Sequence, residues 1–285
     1  MIATTAGQPS LMRTPVPPSR RAFCACCTGL ALWPLAARAA APVAAADDGL
    51  PQALELGLPQ MQRIAPTVWV AALAPGVWLH TTTGLLDGGF YYPANGLVVE
   101  HPEGSVLIDT GNVPEQAEVL LDWCARALKA PITRAVATHF HRDRTGGIAG
   151  LSHRKVPTFA YPLTYELANT HAAPVPEPLR DFTGERYTFN EDVELFFPGA
   201  GHSWDNIAVW LPRQRILFGG CFLKSETSRD LGNLADSDFG AWPSSLERLA
   251  ARYPNRAVTV PGHGTLSGDP IVHTRALLKA KGLAA

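Results

Sequence analysis

Two histidines and an aspartate stand at alternate positions in Thr138-His139-Phe140-His141-Arg142-Asp143-Arg144-Thr145-Gly146-Gly147. On a continuous helix they would not converge, because i, i+2 and i+4 do not all share one face. They converge if the chain leaves a buried strand through an irregular loop. Ile132-Thr133-Arg134-Ala135-Val136-Ala137, just before them, reads as such a strand, short, apolar and β-branched. Imidazole together with carboxylate suits a zinc ion. The plainer alternative is a polar loop with solvated histidines.

Three downstream segments repeat the arrangement. Gly199-Ala200-Gly201-His202-Ser203 follows the apolar run Val193–Phe197 and precedes Ile207–Leu211. Phe218-Gly219-Gly220-Cys221 follows Arg215-Ile216-Leu217, and Val258-Thr259-Val260 leads into Pro261-Gly262-His263-Gly264. Each places one candidate ligand beside glycines at a strand end, where backbone can approach a metal closely. Four His, one Asp and one Cys suffice for two zinc ions with three protein ligands each. Three protein ligands and an open position is the catalytic pattern rather than the closed structural one.

These motifs, in this order, resemble the metallo-β-lactamases, and more narrowly their first subclass, the two-zinc enzymes with a Cys ligand. The resemblance runs from about Met61 to the end. Glyoxalase II-like hydrolases, tRNA-processing relatives and the third lactamase subclass have His where this chain has Arg144; here Cys221 is available instead. Further matches are Cys221-Phe222-Leu223-Lys224, Leu231-Gly232-Asn233-Leu234-Ala235-Asp236, and Gly201-His202-Ser203-Trp204-Asp205-Asn206.

By position, the resemblance implies that His139, His141 and His202 hold one zinc and Asp143, Cys221 and His263 the other. A three-imidazole zinc stays more positive and lowers the pKa of bound water toward ~7. A thiolate–carboxylate zinc is nearly neutralised and better suited to a leaving-group nitrogen. The implied nucleophile is a metal-bridging hydroxide oriented by Asp143, so no Ser or Cys nucleophile is required. Lys224 would bind the substrate carboxylate, and Asn233 the lactam or product carbonyl, through its side chain or a water. Arg144 would support the Cys221/Asp143 zinc rather than touch substrate. Thr82–Ala94, with Gly84, Leu85, Leu86, Gly88, Gly89, Phe90 and Tyr91, fits a mobile hairpin closing over ligand, where the family has a substrate flap. The remaining histidines (His80, His101, His153, His171, His273) lack motif context and read as ordinary surface or core residues.

The elements that must position these residues alternate from Thr67 onward. Strands are expected at Val68–Ala72, Val77–Thr81, Leu97–Glu100 and Val106–Asp109, then a helix from Pro114 to Lys129. Val156–Tyr161 reads as a strand and Leu163–His171 as a short helix. The second half has strands at Tyr187–Phe189, Val193–Phe197, Ile207–Leu211, Ile216–Phe218 and Ala257–Val260, with helices Ser244–Tyr253 and Pro270–Lys281. Strands bunched in each half, with helices between, imply an α/β class of two sheets packed face to face under helical layers. The family resemblance implies a four-layer αβ/βα sandwich.

The first 46 residues read as a targeting segment and are set aside. Ser19-Arg20-Arg21-Ala22-Phe23 resembles a twin-arginine signature, and the apolar run Cys24–Ala37 follows, with cleavage expected after Ala39 or Ala46. That run is too short to span a membrane comfortably. Residues 47–60 read as a mobile N-terminal segment and 61–285 as the catalytic domain. Four of the 24 basic residues and none of the 25 acidic ones lie in the leader, leaving 20 against 25, a formal charge of −5. That balance argues against nucleic acid and anionic membrane as partners. Three of the five cysteines (Cys24, Cys26, Cys27) also lie in the leader. With Cys221 a ligand and Cys124 a buried small hydrophobe, no disulfide is expected.

The expected protein is therefore a periplasmic, monomeric zinc hydrolase of penicillins, cephalosporins and carbapenems, conferring antibiotic resistance. The enzyme alternative is another hydrolase of the same fold, a lactonase or thioesterase. A non-enzymatic zinc-binding protein is the remaining class. Arg144 with Cys221 and Lys224 favours the first over the second, and the open ligand set argues against the third.

Overall fold

The computed structural model describes residues 60–86, 89–128 and 130–283. The expected leader, the segment through residue 59 and Lys129 lie outside the described residues. Among these residues the first half runs β1 (Gln62–Ala65), β2 (Val68–Ala74), β3 (Val77–Leu85), β4 (Tyr91–Val99), β5 (Ser105–Ile108), α1 (Pro114–Ala127), β6 (Ile132–Ala137), α2 (Arg142–Thr145), α3 (Ile148–His153), β7 (Thr158–Ala160), α4 (Pro162–Thr170) and β8 (Glu177–Pro178). The second half runs β9 (Arg186–Asn190), β10 (Val193–Phe196), β11 (Ala208–Leu211), β12 (Ile216–Gly220), α5 (Trp242–Arg252), β13 (Val258–Pro261) and α6 (Pro270–Ala280).

Strands β1 to β8 form one sheet in chain order; the other has the order β13-β12-β11-β10-β9. The layering follows from side-chain alternation. Val106, Ile108, Leu97, Val99 and Val136 face Val193, Leu195, Val209, Leu211, Ile216, Phe218 and Val260 across the sandwich. The neighbours one residue away, Leu107, Val98 and Ala135, point outward beneath Leu120, Leu121 and Trp123 of α1. Phe196, Ala208 and Leu217 point outward on the other side, beneath Trp242, Leu246 and Leu249 of α5 and Ile271 and Leu278 of α6. Strands covered on both faces read as continuous apolar runs. The result is the expected four-layer αβ/βα sandwich.

Local signals set the helix ends. Pro114 opens α1, with Glu115 in its first turn. The Asp269 carboxylate caps α6 by accepting from Ile271 N at 2.9 Å. No helix among the described residues is long and apolar enough to cross a membrane.

Two expectations change. The hairpin expected as a long loop over Thr82–Ala94 is mostly strand: β3 and β4 stay paired from Val77↔Val99 to Leu85↔Tyr91. Beyond the paired strands, Leu86 N donates to Phe90 O at 2.9 Å; Asp87 and Gly88 lie outside the described residues. The apolar side chains at the hairpin's end are nonetheless outside, Phe90 at 73% exposure. Asp143, expected on a loop, lies in the one-turn helix α2. His141 is its extended N-cap (φ −63°, ψ 153°), and this switch from extended to helical backbone makes alternate residues converge.

Candidate metal centre

All six candidate ligands come together at one edge of the sandwich. His139 and His141 lie just past β6, Asp143 in α2, His202 between β10 and β11, Cys221 after β12 and His263 after β13. Ligand atoms group within 4.8 Å as Asp143–Cys221–His263, His139–His141–Asp143 and His139–His202–Cys221. The rings of His139, His141 and His202 meet edge to face, with centroids 4.6 to 5.1 Å apart. Opposite them, Cys221 Sγ is 3.0 Å from His263 Nε2 and 3.4 Å from Asp143 Oδ2.

Several contacts fix which ring nitrogen faces inward. His263 Nδ1 donates to Pro93 O at 2.7 Å, aiming Nε2 at Cys221 and Asp143. His141 Nε2 donates to Asp236 Oδ2 at 2.9 Å, leaving Nδ1. Partners of this kind orient metal-binding imidazoles and raise their basicity. His139 Nε2 is buried without a hydrogen-bond partner, as a lone pair reserved for a cation would be.

The electrostatics agree with a cation site. Burial drives His139 and His202 well below the ordinary imidazole value, helped by His141 at the first and Lys224 at the second. Both rings are therefore neutral. Burial would raise the Asp143 carboxyl, but Arg144, then His263 and His139, hold it well below the usual range. Burial would lower His263, yet Cys221 and Asp143 lift it to about 9. The space between Asp143, Cys221 and His263 thus favours positive charge, and the donor set of imidazole, thiol and carboxylate fits zinc.

Arg144 organises the side away from solvent. It is fully buried, and Nη2 reaches Asp143 Oδ2 at 2.8 Å, Cys221 Sγ at 3.0 Å and Gly262 O at 3.0 Å. Nη1 reaches Asn95 O at 2.6 Å and Asp109 Oδ2 at 2.9 Å. Asp109 ends β5 in the left-handed region (φ 63°), and its carboxylate also accepts from Thr138 N and Oγ1 at 2.8 and 3.0 Å. Burial pushes its carboxyl up to about 6 even beside Arg144.

The centre opens into a cleft of about 660 Å³, within the range of small-ligand pockets. Leu86 and Tyr92 of the β3–β4 hairpin wall one side; Lys224, Ser228 and Asn233 wall the other. Lys224 is buried at 6% exposure, its Nζ 5.5 Å from the Trp242 ring centroid, so it is not a solvated surface lysine. Burial lowers its pKa. Asn233 is exposed, and its Oδ1 accepts from Ala235 N at 3.1 Å. A second groove, bordered by Arg186, Arg248 and Arg252, holds no candidate ligand, and those guanidiniums pair with Glu185 and Glu194. His101 gathers with Glu191 and Asp192. Its Nδ1 accepts from Glu103 N at 3.2 Å, so Nε2 carries the proton and offers no lone pair.

Sequence reasoning assigned no role to Asp109, Asp205 or Asp236. Each had a signal: Asp109 directly follows an apolar strand, Asp205 shares a motif with the candidate ligand His202, and Asp236 shares one with Asn233.

An αβ/βα sandwich with six convergent donors at the floor of a small-molecule cleft defines a metal-dependent enzyme. Residues 90–263 match the family model described as the metallo-beta-lactamase superfamily. A metallo-beta-lactamase type 2 of Bacillus cereus is 39% identical over 218 residues, 75% of this chain and 83% of that protein. One of Pseudomonas aeruginosa is 34% identical, over 76% of this chain and 87% of that protein. The crystal structure of a metallo-beta-lactamase from Erythrobacter litoralis is similar at a TM-score of 0.73 and 34% identity, covering 78% of this chain and 100% of that one. The chain belongs to the metallo-β-lactamase superfamily, and the relatives named here are metallo-β-lactamases.

Proposed function

We infer that the protein is a zinc-dependent β-lactamase that hydrolyses the β-lactam amide of penicillins, cephalosporins and carbapenems, and so confers antibiotic resistance. The observation that carries this reading is the convergence of six zinc-type donors at the floor of a cleft that also contains a buried lysine. His139, His141 and His202 would hold one zinc and Asp143, Cys221 and His263 a second. Bound zinc supplies Lewis-acid polarisation of the amide carbonyl and a water of lowered pKa.

The chain's own groups do the rest. Asp143, ionised beside Arg144, orients the attacking water by accepting its proton in a hydrogen bond. The Lys224 ammonium anchors the carboxylate of a classical β-lactam. Asn233 contacts the lactam carbonyl, directly or through water. Leu86 and Tyr92 close the apolar side and shield the reacting centre. Arg144 stays behind Asp143 and Cys221 and does not touch substrate. The N-terminal 46 residues serve as a twin-arginine-type leader with cleavage near 39 or 46, residues 47–60 as a mobile segment, and 61–285 act in the periplasm as a monomer.

The test is absorbance loss of a carbapenem and a cephalosporin on purified protein, with and without a chelator, together with metal analysis. Expected are two zinc ions per chain, hydrolysis abolished by chelation, and recovery on adding zinc. One tightly held zinc in zinc-replete buffer would count against the two-site reading. Turnover of lactones or thioesters with no β-lactam opening would replace the substrate class.

A further inference from the structure

The three imidazoles of the first zinc set come from two segments far apart in sequence. His139 and His141 follow β6, whereas His202 lies in the loop before β11. Asp205 joins these segments and is fully buried. Its Oδ2 accepts the backbone N–H of Phe140, the residue between His139 and His141, at 2.9 Å. Its Oδ1 accepts the hydroxyl of Ser203, which follows His202. The Phe140 N–H can only donate, whereas the Ser203 hydroxyl can donate or accept, so one side chain at position 205 with two polar atoms ties both segments. Neighbouring contacts stiffen the junction. Ile207 N donates to Thr138 O at 2.9 Å, and Asn206 closes the His202 loop, accepting from Ser203 N at 2.9 Å and donating to Gly199 O at 3.0 Å.

The geometry points to Asp205 as a positioning residue that sets the spacing of the His139/His141 pair against His202, and thereby the zinc affinity of the three-imidazole set. This rests on the reading that those three rings hold zinc. Asp205 is not itself a ligand and does not line the cleft; it acts through the two loops it ties. Burying a carboxylate is costly unless it is fully hydrogen-bonded. Burial raises the Asp205 carboxyl above its ordinary value, and the Ser203 hydroxyl draws it back. That cost is offset here by bonds to both ligand-bearing segments.

The test compares wild type, Asp205→Ala, Asp205→Asn and Ser203→Ala in the zinc-loaded protein. Zinc affinity is read by competition with a chromophoric chelator, the cobalt-substituted spectrum by absorbance, and stability by denaturant. Asp205→Asn can keep both arms, its amide oxygen accepting from Phe140 N and its N–H donating to the Ser203 hydroxyl, and should stay near wild-type zinc affinity. Asp205→Ala removes both arms. It should weaken zinc at the three-imidazole set about 10- to 100-fold, the scale for partners that orient ligands. The sulfur-to-cobalt charge-transfer band, which reports Cys221, should persist while the ligand-field bands change. Ser203→Ala removes only one arm, and a smaller loss is expected, roughly 3- to 10-fold, below the scale for losing such a partner outright. Unchanged zinc affinity and cobalt spectrum in Asp205→Ala, even with lower stability, would make Asp205 purely structural and overturn the inference. Should Asp205→Ala not fold, Ser203→Ala decides alone: affinity equal to wild type overturns it. A wild-type protein that takes up no zinc would instead overturn the metal reading itself.

Discussion

The Arg144 guanidinium lies 3.0 Å from the Cys221 sulfur, with no water-exposed surface of its own. The same Nη2 reaches Asp143, and Nη1 reaches Asp109, so one cation serves two carboxylates and a thiol. A histidine at this position would carry its donor on a short ring and could not span Asn95, Asp109 and Gly262 together. Arg144 thus fixes Asp143 and Cys221 from behind and leaves their other faces toward the cleft.

Arg144→Ala should therefore be strongly destabilising. Removing one partner of a buried ion pair leaves uncompensated charge and typically costs about 3–5 kcal/mol. Here Asp109 would be left buried and Asp143 would lose its guanidinium. Denaturant unfolding of the zinc-loaded protein measures the loss. A change below ~1 kcal/mol would mean the pair contributes little to the fold.

The two cysteines should behave oppositely. Cys221→Ser replaces the softest donor and should release the second zinc at low zinc concentration, with activity falling by orders of magnitude and partly recovering in excess zinc. Cys124 is buried in the α1 packing, and burial pushes its thiol up to about 11, so it stays an inert thiol. Cys124→Ser should leave turnover nearly unchanged. Normal low-zinc turnover in Cys221→Ser would remove Cys221 from the ligand set.

The six donors were legible because each sits beside a strand end or a glycine, within a few residues of a recognisable apolar run. Long-range partners were not. Phe140 and Asp205 are 65 positions apart, and nothing local in Trp204-Asp205-Asn206 says which backbone it meets. The core strands were read to within a few residues, since alternating burial on two covered faces leaves continuous apolar runs. The two strands of the hairpin are longer than the sequence suggests, because Gly84, Pro93 and Gly96 interrupt its apolar pattern. Gly84 is required there: a Cβ would fall 2.5 Å from Asn112 Oδ1 and from the Tyr92 ring. The two-residue strand β8 and the single turn α2 are too short to carry a periodic signal.

His80 should leave a mark on acid stability. It is buried in β3, Nε2 donating to Ile108 O at 3.1 Å and Nδ1 without a partner, and burial lowers its pKa from 6.5 to about 4. Between those values the unfolded chain binds a proton that the folded chain refuses. Stability is therefore lost as pH falls from 6.5 toward 4, by roughly 3 kcal/mol at the end of that window. Asp109 works the other way: its folded value of about 6 exceeds the unfolded 3.8, so it gains stability over much of the same range. The wild-type curve alone hides both. His80→Gln keeps a donor for Ile108 O and removes the titration, so its stability relative to wild type should rise steadily from pH 6.5 to 4.5. A constant difference across that range would show that His80 protonates normally in the fold.

Lys224 tests the substrate class. Its ammonium sits in a largely desolvated wall of the cleft, beside Trp242. There a charge-assisted bond to a substrate carboxylate is worth about 1.5–3 kcal/mol. Lys224→Ala should lower kcat/KM for carboxylate-bearing β-lactams roughly 10- to 200-fold, since ~1.4 kcal/mol is tenfold. Much of that loss should appear in KM if the contact is equally strong in ground and transition states. Zinc content should stay at the wild-type level, because Lys224 is outside the ligand set. A β-lactam esterified at the carboxylate has no anion to anchor, so both proteins should open it at similar rates. Were the ester and the free acid to lose rate equally on Lys224→Ala, the lysine would be acting through the Trp242 packing instead, and the carboxylate would have to be held elsewhere in the cleft.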